Sequence, residues 1–174
     1  MGRDIIALDS LTVNNIGTFK KINEVVLPTR YGENWYKDSL NKDQIVQLGY
    51  YAELPVGAVK AKAINTSYKN PNHEASQQTS NQTNIIPNAV YIESFAVLKA
   101  YRDLGIGSRL LQYVIDKTKE KFIHQIVIHV HVDNKHAIDW YLKKGFTKDD
   151  EILKDYYKEQ GLSNPDAVIL SLSI

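Results

Sequence analysis

The chain has 174 residues, the length of one ordinary domain, and is 43% hydrophobic and 24% charged, a soluble globular composition. Its 21 Lys and Arg against 20 Asp and Glu leave a formal charge of +1. That balance excludes a general polyanion binder built on uncompensated cations, while leaving room for one local anion site. Cysteine is absent, which excludes disulfide scaffolds, thiolate zinc sites and cysteine nucleophiles.

In chain order, Asp4 to Leu8 is a short apolar stretch of edge-strand character. Asn14 to Leu27 carries Ile16, Phe19, Ile22, Val25 and Val26 at helical spacing, and Pro28 ends that helix because proline disfavours helical backbone at the residue before it. Thr29 to Gly32 is a loop, and Glu33 to Leu40 a second short helix. Val46 to Ala52 and Val56 to Ile64 read as strands around a turn at Glu53-Leu54-Pro55. Residues 65–84 contain no Ile, Leu, Val or Phe and are rich in Asn, Gln, Ser and Thr. Such a stretch buries too little apolar surface to offset its ordering entropy, so a mobile polar insertion, about 65–86 with its flanks, is expected inside a single domain spanning residues 1–174.

Ala89 to Leu98 is the next strand, and Leu104 to Lys119 an amphipathic helix with Leu110, Leu111, Val114 and Ile115 on one face. Ile126 to Val132 alternates as a strand with Ile126, Ile128, Val130 and Val132 on one side. Asn134 to Lys144 is a helix closed by Gly145, and Phe146 to Lys158 and Ala167 to Ser173 are strands. Strands followed by strand–helix–strand–helix–strand give an α/β (α+β) class with one mixed central sheet flanked by helices.

The longest apolar runs, such as Ala167-Val168-Ile169-Leu170, fall far short of the roughly 18 residues a membrane span requires. The beginning of the sequence lacks a signal-peptide layout, and Ile6 stands where a myristoylation signal has Ser or Thr. Asn65-Thr66-Ser67 and Asn81-Gln82-Thr83 match the glycosylation pattern but have no secretory route to act on. A cytoplasmic protein without membrane or nucleic-acid partners is expected.

The loop Tyr101-Arg102-Asp103-Leu104-Gly105-Ile106-Gly107 joins a strand to the amphipathic helix. Glycines at a helix start let backbone N–H groups close on a pyrophosphate, the helix dipole adds positive potential, and Arg102 supplies a cation. A plain flexible loop is the alternative. The Gly-Lys-Ser/Thr ending of a Walker loop and the acidic ribose ligand of a dinucleotide fold are both missing. His129 and His131 share the strand face opposite the Ile/Val side. His129 is either a polar-face strand residue or a proton acceptor near neutral pH. No third ligand has suitable spacing, so a metal is not expected.

Arg102-x-x-Gly105-x-Gly107 between strand and helix resembles the acetyl-CoA loop of the GNAT N-acetyltransferase superfamily. Asn134-Lys135-His136-Ala137-Ile138-Asp139-Trp140-Tyr141-Leu142-Lys143-Lys144-Gly145-Phe146 resembles its second signature, an Asn-led helix ending in Gly-Phe. Val26-Leu27-Pro28-Thr29-Arg30-Tyr31, Tyr91, His129 and Tyr156-Tyr157 are similar to the N-terminal protein acetyltransferases of the NatE type. The resemblance implies acetyl transfer from acetyl-CoA to the α-amine of nascent chains beginning with Met and a non-small residue. It also implies association with the large auxiliary subunit of the ribosome-bound NatA complex. Alternatives on the same fold are a catalytically weak subunit that only binds that complex, or an acetyltransferase for lysine or a small molecule.

The same resemblance assigns roles. Tyr91 and His129 would relay the amine proton through a water, with the Tyr141 hydroxyl near the coenzyme sulfur. Phe95, Val97, Arg102, Asp103, Leu104, Gly105, Ile106, Gly107, Ser108, Asn134 and Tyr141 would hold the cofactor. Leu27, Pro28, Thr29 and Tyr31 would line the pocket for the first acceptor side chain, with Glu93, Tyr156 and Tyr157 also on the acceptor. Asp103 stands at an often basic loop position, Leu27 and Thr29 replace a larger aromatic and a valine, and Gln160 replaces an apolar residue; these departures bear on affinity and acceptor preference.

Overall fold

Seven strands form one sheet in the order β1-β2-β3-β4-β5-β7-β6. They are β1 (Ile6–Ser10), β2 (Gln44–Tyr51), β3 (Leu54–Ile64), β4 (Ala89–Val97), β5 (Gln125–His131), β6 (Thr147–Leu153) and β7 (Ala167–Ser173). Helices α1 (Ile16–Val26) and α2 (Glu33–Asp38) lie between β1 and β2, α3 (Ile106–Glu120) between β4 and β5, and α4 (Lys135–Lys143) between β5 and β6. The computed structural model describes residues 5–65, 86–153 and 166–174, with side chains left out at 150–153. The body of the expected insertion, the end of the strand expected to reach Lys158, and Tyr156, Tyr157 and Gln160 lie outside the described residues.

All neighbouring strands pair antiparallel except β4 and β5, which are parallel and register only Val90–Ile92 against Ile126–Ile128. Past Ile92 and Ile128 the two strands part, and their backbone groups on the facing edges no longer pair with each other. The sheet is packed on both faces. Ile92, Ile126, Ile128, Leu110, Leu111 and Val114 form the core beneath α3 and α4. Phe19, Ile22, Tyr36, Leu48, Ala58 and Ala96 form a second core beneath α1 and α2. The alternation expected along β5 is thereby accounted for: Ile126, Ile128 and Val130 enter the first core, whereas Val127 packs with Tyr91 and Ala89 on the opposite face.

Several boundaries differ from the sequence expectation. The first strand is Ile6–Ser10 and not 4–8, because its partners are set by register against β2, Ile6 to Tyr51 through Ser10 to Gln47. The β2–β3 turn is not Glu53-Leu54-Pro55 but the two residues Ala52 and Glu53, both with positive φ (48° and 71°), the geometry that matches the twist of a tight hairpin. Pro55 stands inside β3, opposite Tyr50 beside a bulge. Helix α2 stops at Asp38 with Ser39 as its cap, short of the expected Leu40. Helix α3 begins at Ile106 and not Leu104, because Asp103 and Gly105 both take left-handed backbone (φ 64° and 98°). Helix α4 ends as expected: Gly145 (φ 102°) lets its N–H reach the Leu142 carbonyl and that of Phe146 the Tyr141 carbonyl. This reciprocal C-terminal pair is the Schellman arrangement. The Phe146 ring packs on Tyr141 with centroids 5.1 Å apart.

The first turn of α3 rests directly on the sheet backbone. Gly49 and Gly57 are opposite each other in β2 and β3. A Cβ on Gly49 would meet Ile106 Cγ2 at 2.9 Å, and one on Gly57 would meet Leu110 Cδ1 at 3.2 Å and the Ala96 carbonyl at 3.1 Å. Only glycines permit that approach, and it fixes where the N-terminus of α3 lies.

Candidate active site

Two cavities open where β4 and β5 part. One, of about 180 Å³, is lined by Arg102, Asp103, Gly107, Val97, Tyr101 and Trp140. The other, of about 120 Å³, is lined by Thr29, Tyr31, Glu93, Ser94, His129 and His131. Leu27, Pro28, Phe95, Asn134, Ala137 and Tyr141 belong to both, so the cavities adjoin. Tyr141 is buried between them, its ring against Phe95, Trp140 and Phe146.

The larger cavity suits an anionic, elongated ligand. Its mouth holds the N-terminal end of α3, where unpaired N–H groups and the helix dipole favour a phosphate. Arg102 stands beside it, anchored by its Nε donating to the Val97 carbonyl at 3.1 Å. Its inner wall is apolar. Gly107 has a second reason to be glycine: a Cβ there would lie 3.1 Å from Trp140 Cζ2. The left-handed backbone of Asp103 gives a conformational reason for its identity, since Asp tolerates that region better than most residues. Asn134 caps α4, its Oδ1 accepting from the Ala137 N–H at 3.2 Å.

Not every expected cofactor residue presents its side chain. Ile106 is buried against the sheet, so only its backbone is available there. Gly105 and Leu104 shape the loop without lining either cavity, and the Ser108 hydroxyl accepts from Lys144 Nζ at 2.6 Å.

Beside the smaller cavity, Tyr91 Oη lies 3.3 Å from His129 Nδ1. This direct contact leaves no space between the two atoms for the water that the resemblance implied; a water held by both has to sit beside the pair. Tyr91 is buried and lines neither cavity, so it reaches the site through His129. Burial pushes the His129 pKa down from 6.5 to about 4, keeping the ring neutral at pH 7.

The floor of the smaller cavity is built by a bulge. Lys60 pairs with Ser94 and Ala61 with Ile92, leaving Glu93 as the extra residue of β4. Its freed carbonyl accepts from Tyr31 Oη at 2.9 Å. Its carboxylate meets Lys60 Nζ at 3.2 Å and Lys62 Nζ at 2.8 Å, with the Glu93 and Lys60 side chains only 4% and 3% exposed. Lys60 also donates to the Trp35 carbonyl at 3.1 Å and sits 3.9 Å above the Trp35 ring, which stacks on Tyr31 at 3.8 Å. This closed circuit ties the Leu27–Tyr31 wall to the sheet. Sequence reasoning missed Lys60, Trp35, Ser94 and Trp140. The alternation of Lys60 and Lys62 in β3 puts two cations on one sheet face, which is a readable signal for a buried acidic partner.

The chain matches the model of the acetyltransferase (GNAT) family over residues 23–146. It is 32% identical over 170 residues to N-alpha-acetyltransferase 50 of Danio rerio, covering 97% of this chain and 89% of the relative. It is 31% identical over 175 residues to a probable N-acetyltransferase, san, of Drosophila melanogaster, covering 100% of this chain and 84% of the relative. Among solved structures it is similar to Arabidopsis thaliana Naa50 in complex with the bisubstrate analogue CoA-Ac-MVNAL, with TM-score 0.78, 27% identity, and coverage of 98% of this chain and 100% of that one. With the loop, the parted strands and both cavities in place, the chain belongs to the GNAT acetyltransferase family.

Proposed function

We propose that the protein transfers acetyl from acetyl-CoA to the α-amine of protein N-termini, with preference for Met followed by a non-small residue. The observation that carries this reading is that the two cavities share the walls at Phe95 and Tyr141, with the Tyr91–His129 pair at the smaller one. Bound acetyl-CoA supplies the activated thioester. The residues of the larger cavity fit it: Arg102 and the α3 N-terminus would hold its phosphates, and Phe95, Val97 and Trp140 would enclose an uncharged arm. Buried Tyr141 lies at the junction and would present its hydroxyl to the thioester sulfur.

An α-amine with pKa near 7.7–8.0 is neutral in roughly a tenth to a sixth of molecules at pH 7, so it needs only a weak proton acceptor as the new bond forms. His129 serves when its Nδ1 hydrogen points to Tyr91 Oη, leaving the Nε2 lone pair to take the proton. Leu27, Pro28 and Thr29 then receive the first side chain, and Tyr31 and Glu93 complete the wall. The preference for Met, the clamp by Tyr156 and Tyr157, a cytoplasmic setting and docking on the large NatA subunit belong to the same proposal, on the strength of the resemblance.

A peptide-library assay with labelled acetyl-CoA tests it. Met-Leu starts are expected to outrank Ser and Ala starts, and a preference for Ser would remove the methionine pocket. Tyr91→Phe or His129→Ala is expected to lower turnover by roughly ten- to a thousandfold. The double variant is expected to be little worse than the worse single one, since the two act as a unit.

A further inference from the structure

Ser94 is 4% exposed, and its hydroxyl has no hydrogen-bond partner among the described residues. A buried hydroxyl left alone is costly, so such a group in a native fold calls for an explanation. Its position supplies one. Without the bulge, strand alternation would send Ser94 to the α3 face alongside Ile92. The extra residue at Glu93 resets the alternation, so that Ser94 pairs with Lys60 on the same face as Tyr91 and Glu93. There it lines the smaller cavity and not the larger one. Neighbouring polar groups have partners, Glu93 in ion pairs with Lys60 and Lys62, Tyr31 on the Glu93 carbonyl and Tyr91 on His129, although Glu93 Oε2, like Ser94 Oγ, has no hydrogen-bond partner among the described residues.

We propose that Ser94 is a substrate-contacting residue, whose Oγ accepts a hydrogen bond from the α-amine of the acceptor's first residue. Resting on the function proposed above, this gives the amine a second fixed partner. With one N–H directed at Ser94 and another at the Tyr91–His129 pair, the nitrogen lone pair is left for the thioester carbon. The proton that leaves still goes to His129; Ser94 only orients.

The contact predicts opposite signs in two measurements on Ser94→Ala. Removing an unpartnered buried hydroxyl raises the melting temperature of the free protein, by about 2–4 °C for a domain of this size. The same change raises KM for a Met-Leu peptide about tenfold, the loss of one hydrogen bond, and leaves the acetyl-CoA Kd within twofold. Ser94→Thr, which keeps the hydroxyl, is expected to hold KM within threefold of the wild type. An unchanged KM in Ser94→Ala overturns the proposal, and so does a raised KM accompanied by a lower melting temperature, the mark of a merely structural residue. A wild-type chain that acetylates no peptide N-terminus removes the functional reading and the contact together. One that acetylates normally while Ser94→Ala matches it removes the contact alone.

Discussion

Replacing Glu93 by Met removes the one carboxylate at the centre of a buried cluster, and the cost can be worked from what is left behind. Lys62 is 18% exposed and can turn towards water. Lys60, 3% exposed, keeps only the Trp35 carbonyl and ring. Burial already lowers the Lys60 pKa from an ordinary 10.5, and Glu93 is the largest influence opposing that shift, with Asp38 a smaller one. Leaving one member of a buried pair unpaired costs about 3–5 kcal/mol. The ceiling at pH 7 is set by neutralising Lys60, since 3.5 pKa units at 1.36 kcal/mol each come to about 5 kcal/mol.

The sign follows from linkage. Burial without Glu93 lowers the Lys60 pKa in the folded variant, so the unfolded chain binds more protons below pH 10.5, and the loss shrinks as pH rises towards 10.5. In urea titrations against the wild type, Glu93→Met is expected to lose about 3–5 kcal/mol at pH 7 and about 1–2 kcal/mol at pH 9.5. Lys60→Met combined with Glu93→Met removes both charges and is expected to lie within about 1 kcal/mol of the wild type. A loss equal at the two pH values, or a double variant as unstable as the single one, would refute the reasoning.

Gly49→Ala pushes a Cβ to 2.9 Å from Ile106 Cγ2; overpacking is expected to cost about 1–3 kcal/mol in chemical denaturation, and an unchanged midpoint would show that α3 can shift freely. His129, neutral when buried with a pKa of about 4 against 6.5 unfolded, makes stability fall as pH drops from 6.5 to 4, by at most about 3 kcal/mol. His129→Gln is expected to remove that part of the acid dependence, read from melting curves across this range; an identical slope would mean that the ring is protonated in the fold. Asp103→Asn keeps a residue tolerant of left-handed backbone while deleting a charge beside the α3 N-terminus. By calorimetry it is expected to bind acetyl-CoA about two- to fivefold more tightly, and weaker binding would show that the carboxylate makes a needed contact.

How much of this was legible differs from element to element. The period of Leu110, Leu111 and Val114 and the alternation of β5 reflect burial on one face, so helix and strand could be read directly. The Ala52-Glu53 turn could not, because neither residue favours the positive φ that the hairpin imposes on both. The bulge at Glu93 leaves no local signature, since it arises from the register of β3 against β4. Ser94 was therefore out of reach, although the Lys60–Lys62 alternation could have been read and the Asn-led start and Gly145-Phe146 stop of α4 are as the sequence indicates. Gly107 was read as a phosphate-approach glycine, but its neighbour across the groove, Trp140, appears only once α4 is placed.

The six residues common to both cavities have a consequence for anyone wishing to redirect this protein. A substitution at Leu27, Pro28, Phe95, Asn134, Ala137 or Tyr141 reshapes both cavities at once, so what the two cavities take cannot be tuned separately there. Independent handles lie on walls that belong to one cavity only: Thr29, Ile128 and His131 for the smaller, Tyr101 and His136 for the larger. Selection experiments that randomise the first set are expected to return mostly inactive variants. Those confined to the second can change one ligand while the other goes on reporting that the fold is intact.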